Sequence, residues 1–430
     1  MDSVDIGRAT EQAPECPNGF HPLDWDEVHD PFPKLAELRA QCPVSTVRRD
    51  PIPPMKLFTK FADISQIYRD WESFGNMGII VNPVEHAGMA AEQRAIISTD
   101  PPRHGAMRRF ALQALSPAQI DAHMDGIAAY AQAETAKLPM GEDVEMMDAW
   151  AGPIPSVATA RALGLPDADA LSFRRWVRMG IEANARRMSP SSTEFRWADG
   201  ADAYGAGMFP ESADFVGKWV RARRAAGNPQ TGDVLSKMLD YVDEESGISF
   251  TDQEVVDQLV TIIAAGNDTT GGLIGNFLYR LATTPGLFDM LKQDRSKLII
   301  AIEESLRLDP PQMMFPRLCL KDANVGGVNV KAGEVIIMSM ASGNRDEEFY
   351  GPDSDQFRLD RKYPNPRHLS MGRGIHTCIG AYLARKVAKV AIDALLERFS
   401  GVRLADGYSY EKVLFHHFRA PETLRIVLEA

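Results

Sequence analysis

Between Thr251 and Pro285 the chain carries no proline, and a helix filling that interval would be about 50 Å long at 1.5 Å per residue. That is well beyond the usual globular helix, so the fold must be organised around it. The segment opens on Thr251-Asp252-Gln253-Glu254, the spacing of a capping box. Its apolar residues, among them Val255, Val256, Leu259, Val260, Leu273, Ile274 and Phe277, cover more than one stripe, which predicts a helix through the middle of the protein. At its centre stands Ala265-Gly266-Asn267-Asp268-Thr269-Thr270-Gly271-Gly272. Each glycine costs a helix about 1 kcal/mol relative to alanine, and Asn, Asp and Thr compete for backbone bonds. An acid beside a hydroxyl in such a weakened, buried helix suits a local opening and a proton relay. The plainer alternative is a break into two helices.

A second stretch, Met371 to Gly380, sets one cysteine among glycines, with His376 two residues before it. This pattern marks Cys378 as the ligand of a buried metal cofactor. A thiolate that must reach a large flat group needs close backbone approach, which residues without Cβ permit. Ala381 to Phe399 has helical periodicity, so Cys378 falls near a helix N-terminus, where amides and dipole favour the anionic sulfur.

The four cysteines, Cys16, Cys42, Cys319 and Cys378, form no C-x-x-C pair, which excludes a zinc ribbon or dithiol redox motif. With Asp2, Asp5 and Glu11 the N-terminus does not read as a signal peptide, and no apolar run reaches 18 residues. These features predict a cytoplasmic protein without a membrane span. A net charge of -12 argues against nucleic-acid binding. No low-complexity linker divides the 430 residues, which allows one large domain over 21–430 behind a loose arm of residues 1–20.

Elsewhere the pattern is mainly helical with little sheet. Val44–Val47 and Met55–Thr59 flank a proline-rich turn as a hairpin, and Met313–Leu320 and Val328–Ser339 read as short strands. Asp100-Pro101-Pro102-Arg103-His104 is a helix start, with His104 and Arg108 on one face; taken alone, that face is more simply a solvated basic turn. Glu304 and Arg307 stand three apart in Ser296–Leu308, a spacing usually found in surface pairs. Residues 171–220 mix aromatics, methionines and glycines, as mobile helices over an apolar cavity would.

Four stretches, which agree also in their order along the chain, resemble the cytochrome P450 family of haem-thiolate monooxygenases, soluble bacterial type. Gly372, Gly374, His376, Cys378 and Gly380 match its cysteine motif; Ala265, Gly266, Asp268 and Thr269 match its central-helix motif; Glu304 and Arg307 match E-x-x-R; and Phe357 to Arg361 match the segment that follows it. The resemblance implies a mainly α fold with small sheets and a long helix crossing over haem b. It makes Cys378 the axial ligand of haem iron, a thiolate that favours O–O cleavage. His104, Arg108, Arg317 and His376 would hold the propionates, which replaces the solvated-turn reading, with Ala265, Gly266, Gly372 and Gly380 lining the cofactor. Asp268 and Thr269 would deliver protons during oxygen activation, and Glu304, Arg307 and Arg361 would lock the loop to Cys378. Met371 departs from the family, which usually has an aromatic residue there; the soft side chain leaves ligation intact but bears on the iron potential.

The resemblance also implies a substrate pocket lined by Ile79, Ile80, Thr261, Ala264, Ala265, Met313, Phe315 and Phe415. That lining is apolar, which predicts a small or medium neutral hydrophobic substrate, terpenoid or aromatic, hydroxylated or O-dealkylated with O2. Adjacent histidines at 416 and 417 on a strand face opposite ways, so they read as pocket wall rather than metal ligands. Arg103, Arg109, Arg373, Arg385 and Lys386 suggest a basic patch for an acidic iron-sulfur ferredoxin, itself served by a reductase, with the protein a monomer. Two alternatives use the same thiolate. A haem sensor or electron carrier would not need Asp268-Thr269, and a peroxide-driven oxygenase would usually replace that pair.

Overall fold

The computed structural model describes residues 13–22, 30–49, 52–77, 94–187, 205–229, 233–361, 368–411 and 417–430. One helix, Asp252–Thr283, runs unbroken for 32 residues. It begins at a complete capping box: the Thr251 hydroxyl accepts the Glu254 N–H, and the Glu254 carboxylate accepts the Thr251 N–H. It ends before Pro285, whose ring cannot continue it.

The glycines of this helix serve its neighbours. A Cβ on Gly266 would stand 2.6 Å from the Thr159 hydroxyl, and one on Gly275 2.5 Å from the Met147 sulfur. At Gly272 it would come 3.0 Å from the Ala420 Cβ. Each contact lets another element press against the helix backbone, and the burial so gained offsets the low helix propensity. The expected local opening is therefore replaced by close packing along an unbroken helix.

Around this axis the core divides. Its C-terminal half, through Leu273, Ile274, Phe277 and Leu281, packs with Trp150, Leu298, Ile302, Leu306 and the helix Ala381–Arg398. Its N-terminal half, through Val255, Leu259, Val260 and Ile263, packs with helices Pro153–Leu163, Asp167–Arg187 and Pro210–Ala225.

The strands are Val44–Arg49 (β1), Ile52–Phe58 (β2), Phe74–Asn76 (β3), Asp143–Glu145 (β4), Met314–Cys319 (β5), Ala323–Val325 (β6), Val328–Val330 (β7), Val335–Ser339 (β8), Gly401–Leu404 (β9) and Arg425–Glu429 (β10). The largest sheet has the order β1-β2-β8-β5-β3, with two- and three-stranded sheets beside it. β1 and β2 form the expected antiparallel hairpin, Val44 opposite Phe58. The β3–β5 pairing sets Asn76 opposite Arg317 and so carries both to one end of the central cavity.

One expectation needs correction here. Residues 13–20 are docked rather than loose: Cys16 N–H donates to the Thr46 carbonyl at 2.9 Å, and Phe20 is fully buried. Apolar burial at Phe20 holds a segment whose polar composition suggested an arm. Residues 1–12 lie outside the described residues.

Candidate active site

The loop before Cys378 is closed by its own backbone. The Cys378 N–H donates to the Met371 carbonyl at 2.8 Å and the Gly372 N–H to the Leu369 carbonyl at 2.9 Å, while Gly374–His376 makes one 3-10 turn. Gly372 and Gly374 both take left-handed φ, +66° and +68°. A Cβ on Gly374 would also collide with the Tyr68 carbonyl oxygen. Gly380 differs: its Cβ position meets no protein atom and opens onto the cavity.

The Cys378 sulfur faces a cavity of about 420 Å³ deep in the protein. Burial pushes its pKa up, against the N–H groups of Gly380 and Ala381 and the cations Arg385 and Arg108, all of which pull it down. The helix N-terminus thus acts in the expected direction and is outweighed by burial. A metal cation at the sulfur would supply the remaining stabilisation of the thiolate. Met371 is part-buried against the core and lines the same cavity.

His104, Arg108, Arg317 and His376 converge at this end of the cavity. The two imidazoles lie 4.1 Å apart, His376 Nε2 is 3.1 Å from Asp100 Oδ1, Arg108 donates to the Thr377 carbonyl at 2.8 Å, and Arg317 donates to Asn76 Oδ1 at 2.6 Å. Among the described residues Asp100 is the one carboxylate bonded to this group. Burial first, then the neighbouring His376 and Arg108, lowers the His104 pKa to about 3; burial likewise lowers those of His376, Arg108 and Arg317. A buried and a part-buried guanidinium and two imidazoles with one carboxylate fit a ligand that brings its own negative charges. Together with the open space at Gly380 and the accessible thiol, they fit a haem with its two propionates.

On the central helix, Thr261, Ala264, Ala265, Gly266, Asp268 and Thr269 all border the cavity, as does Phe315. Burial raises the Asp268 carboxyl to about 6, partly offset by Arg174 and Arg178. The Thr269 hydroxyl donates to the Ala265 carbonyl at 2.6 Å, one turn back. Met313 does not reach the cavity. It is fully buried among Met314, Leu318 and Phe418; it stands just before β5, where its N–H donates to the His417 carbonyl and its carbonyl accepts the Ala341 N–H. Ile79, Ile80 and Phe415 lie outside the described residues. His417 and Phe418 do border the cavity, and no metal-ligating cluster occurs among the described residues. Gln258 and Ile96, which sequence reasoning passed over, line it too; Gln258 stands seven residues before Ala265, a spacing that puts them on one helix face and could have found it.

The Glu304–Arg307 pair is wholly buried rather than superficial, with two bonds of 2.8 and 2.7 Å. Arg307 also donates to the carbonyls of Asn344, Ser354 and Gln356, and Arg361 approaches Glu304 at 3.4 Å. Nearby, Asn344 receives the Leu369 N–H and donates to Ser370 just ahead of the cysteine loop. The supposed basic patch is largely neutralised: Arg103 pairs with Glu254, Arg109 with Asp243 and Glu245, Arg385 with Glu303, and Lys386 with Asp121. Arg373 donates to the Ser65 hydroxyl.

A thiol at a helix start that opens on the cavity, an anion-seeking cluster beside it and a crossing helix with an acid–alcohol pair define a haem-thiolate class of protein. The family model for cytochrome P450 matches residues 207–406. A cytochrome P450 of Bacillus subtilis is 30% identical over 310 residues, 72% of this chain and 71% of that protein. The mycinamicin IV hydroxylase/epoxidase of Micromonospora griseorubida is 29% identical, covering 86% of this chain and 88% of its own. The crystal structure of CYP109E1 from Bacillus megaterium in complex with corticosterone superposes with a TM-score of 0.76 at 25% identity, over 94% of this chain and 100% of the other. The chain belongs to the cytochrome P450 family, and is accordingly a haem-iron monooxygenase. Among the described residues no helix is long and apolar enough to cross a membrane.

Proposed function

We propose that this protein holds haem b through Cys378 and inserts one oxygen atom of O2 into a small or medium neutral hydrophobic substrate, terpenoid or aromatic, by hydroxylation or O-dealkylation. The carrying observation is one cavity walled by a thiol at one end and the Asp268–Thr269 pair on the crossing helix. Haem iron, when bound, supplies dioxygen activation, which a thiolate ligand favours. His104, Arg108, Arg317 and His376 hold the propionates; Ala265, Gly266, Gly372 and Gly380 leave room for the ring. Glu304, Arg307 and Arg361 fix the approach to Cys378. Thr261, Ala264, Ala265 and Phe315 face the substrate. Beyond the four-membered cluster at the thiol end, no described lining residue is a lysine or arginine that would pair with a substrate carboxylate. A relative named for mycinamicin hydroxylation and epoxidation and a neighbour solved with corticosterone support a medium-sized substrate. The test is the absorption of the reduced, CO-bound protein with a ligand-shift screen: a strongly red-shifted band and shifts by neutral hydrophobic compounds are expected, and shifts by charged acids alone would sink the substrate reading.

With a carboxyl near pKa 6, Asp268 can both give and take a proton at neutral pH, and Thr269 passes it on once its hydroxyl leaves the Ala265 carbonyl. Asp268→Asn should lower kcat about 100-fold, with the substrate Kd from spectral titration unchanged. The same shift fixes a pH dependence. The folded pKa of about 6 exceeds the unfolded value, so this carboxyl costs nothing below about pH 4 and its full penalty, roughly 3 kcal/mol, above pH 6. Denaturant titrations should therefore show Asp268→Asn gaining on the wild type as pH rises through that window, and equal pH slopes would refute it.

Electrons come from an acidic ferredoxin, with its reductase, in a cytoplasmic, monomeric protein whose one domain, expected over 21–430, takes in the docked residues 13–20 as well. The pairing of Arg109 with the buried Asp243 makes Arg109 a structural residue, so docking falls to Arg373 and the part-exposed Lys386. Arg373→Glu with Lys386→Glu should slow reduction by ferredoxin at least about tenfold at low salt and leave dithionite reduction alone. An unchanged ferredoxin rate refutes the site.

A further inference from the structure

Tyr68 stands in the last turn of the helix Phe61–Arg69 and is 7% exposed. Its ring is fixed at the thiol end of the cavity, which it borders. The Arg317 guanidinium lies 5.4 Å from the ring centroid, and a Cβ on Gly372 would meet Tyr68 Cε1 at 3.8 Å. A buried tyrosine hydroxyl ordinarily finds a hydrogen-bond partner. Among the described residues this one has none. It is not sealed off either: unlike the unpartnered side-chain atoms of Ser98, Gln258 and Asn267, its oxygen keeps accessible surface, and for a residue this buried that surface is the cavity it lines. Burial keeps the phenol protonated, its pKa pushed up to about 12 against the pull of Arg317, so the oxygen offers a proton rather than a charge.

We infer that the Tyr68 hydroxyl is a further cofactor-binding donor, one that hydrogen-bonds a haem propionate beside Arg317. The inference rests on the haem reading above and deepens it. Tyr68 belongs to none of the motifs that carry the family resemblance. The surroundings favour a cofactor carboxylate over a substrate oxygen, because the ring's neighbours, Arg317 and Gly372, belong to the anion-seeking cluster and the cysteine loop. The guanidiniums there are partly spent on the protein. Arg317 Nη1 donates to Asn76 Oδ1 at 2.6 Å and to the Pro316 carbonyl at 3.0 Å, and Arg108 Nη1 to the Thr377 carbonyl at 2.8 Å. A carboxylate has room for about four hydrogen bonds, and those left unmade in a buried site are costly. Two guanidiniums already repel each other in this corner, so a neutral phenol adds a bond to the propionate without a third positive charge.

The test is Tyr68→Phe, which removes one oxygen and keeps the ring. Transfer of haem from the holoprotein to excess apomyoglobin should run about 10- to 100-fold faster than in the wild type. The propionate bending band of the resonance Raman spectrum should shift, and spectral Kd values of neutral hydrophobic ligands should stay as they were. Loading with haem dimethyl ester removes the charge that the hydroxyl is inferred to meet, so wild type and variant should then release the cofactor at nearly equal rates. An unchanged transfer rate and Raman band overturn the inference, as does a rate gap of the same size with the ester, which would make the hydroxyl a support of the fold alone. A loss confined to ligand affinity overturns it in favour of a substrate contact. If Tyr68→Phe does not load haem, Tyr68→Gln, which keeps a neutral donor, is compared with Tyr68→Leu: the glutamine variant should hold haem longer, and equal retention overturns the inference. A wild type that takes up haem without the red-shifted CO band overturns the haem-thiolate reading instead.

Discussion

Cys378→Ser should lose the strongly red-shifted CO band and all detectable turnover while still folding. The serine hydroxyl is a far poorer anionic ligand than a thiolate, and the electron donation that favours O–O cleavage goes with it. No other cysteine can substitute. Cys42 is buried and donates to the Val44 carbonyl; Cys319 is buried, donates to the Lys321 carbonyl and has its pKa pushed up to about 11; neither these nor Cys16 lines the cavity. The loop should survive, because its closure uses the Cys378 backbone N–H rather than the sulfur. Unfolding curves close to wild type, together with loss of the CO band, are the expected pair of results. A retained band would mean that the thiolate is not Cys378.

Arg307→Leu should destabilise the protein by about 3–5 kcal/mol and leave little haem-loaded material. The substitution strands the Glu304 carboxylate at a site where neither partner has any exposure. It also removes donors from three carbonyls, those of Asn344, Ser354 and Gln356, which hold the segment before the cysteine loop. Glu304→Leu combined with Arg307→Leu should cost clearly less than the sum of the single changes, since the worst term in each is a lone buried charge. Denaturant unfolding with haem content per chain measures both. Additive single and double variants would contradict the coupled network.

The central helix illustrates how far local pattern reaches. Its start, its length and its stop before Pro285 follow from a capping box, an uninterrupted apolar pattern and a ring that cannot donate, all of which are local. The roles of Gly266, Gly272 and Gly275 are not local, because the atoms they accommodate, on Thr159, Ala420 and Met147, lie far away in the chain. Propensity alone reads such glycines as weakness. In the folded protein they are the points of closest approach.

The site divides in the same way. Spacing within single stretches singled out Cys378, Asp268 and Thr269, whereas the four residues that gather beside the thiol came from the family resemblance: taken alone, the His104–Arg108 face reads as a solvated turn, and Arg317 belongs to no local motif. Burial was illegible. Glu304 and Arg307 have the spacing of a surface pair, and only the packing of the 344–361 segment over them removes them from water. The basic patch carries less free charge than its sequence suggests for the converse reason: Glu254, Asp243, Glu303 and Asp121, which pair with four of its five cations, lie far off in sequence. Met313 falls outside the cavity because its backbone is held by His417 and Ala341, which come from other parts of the chain.

The sequence by itself determined the long axis, the thiol at a helix start and the acid–alcohol pair, since these depend on contacts within a turn or two of chain. Tertiary structure alone decided which charges are buried, which glycines touch a neighbour, and which residues from distant segments line one cavity. Those outcomes depend on desolvation and partner geometry, and both are properties of segments brought together from distant parts of the chain.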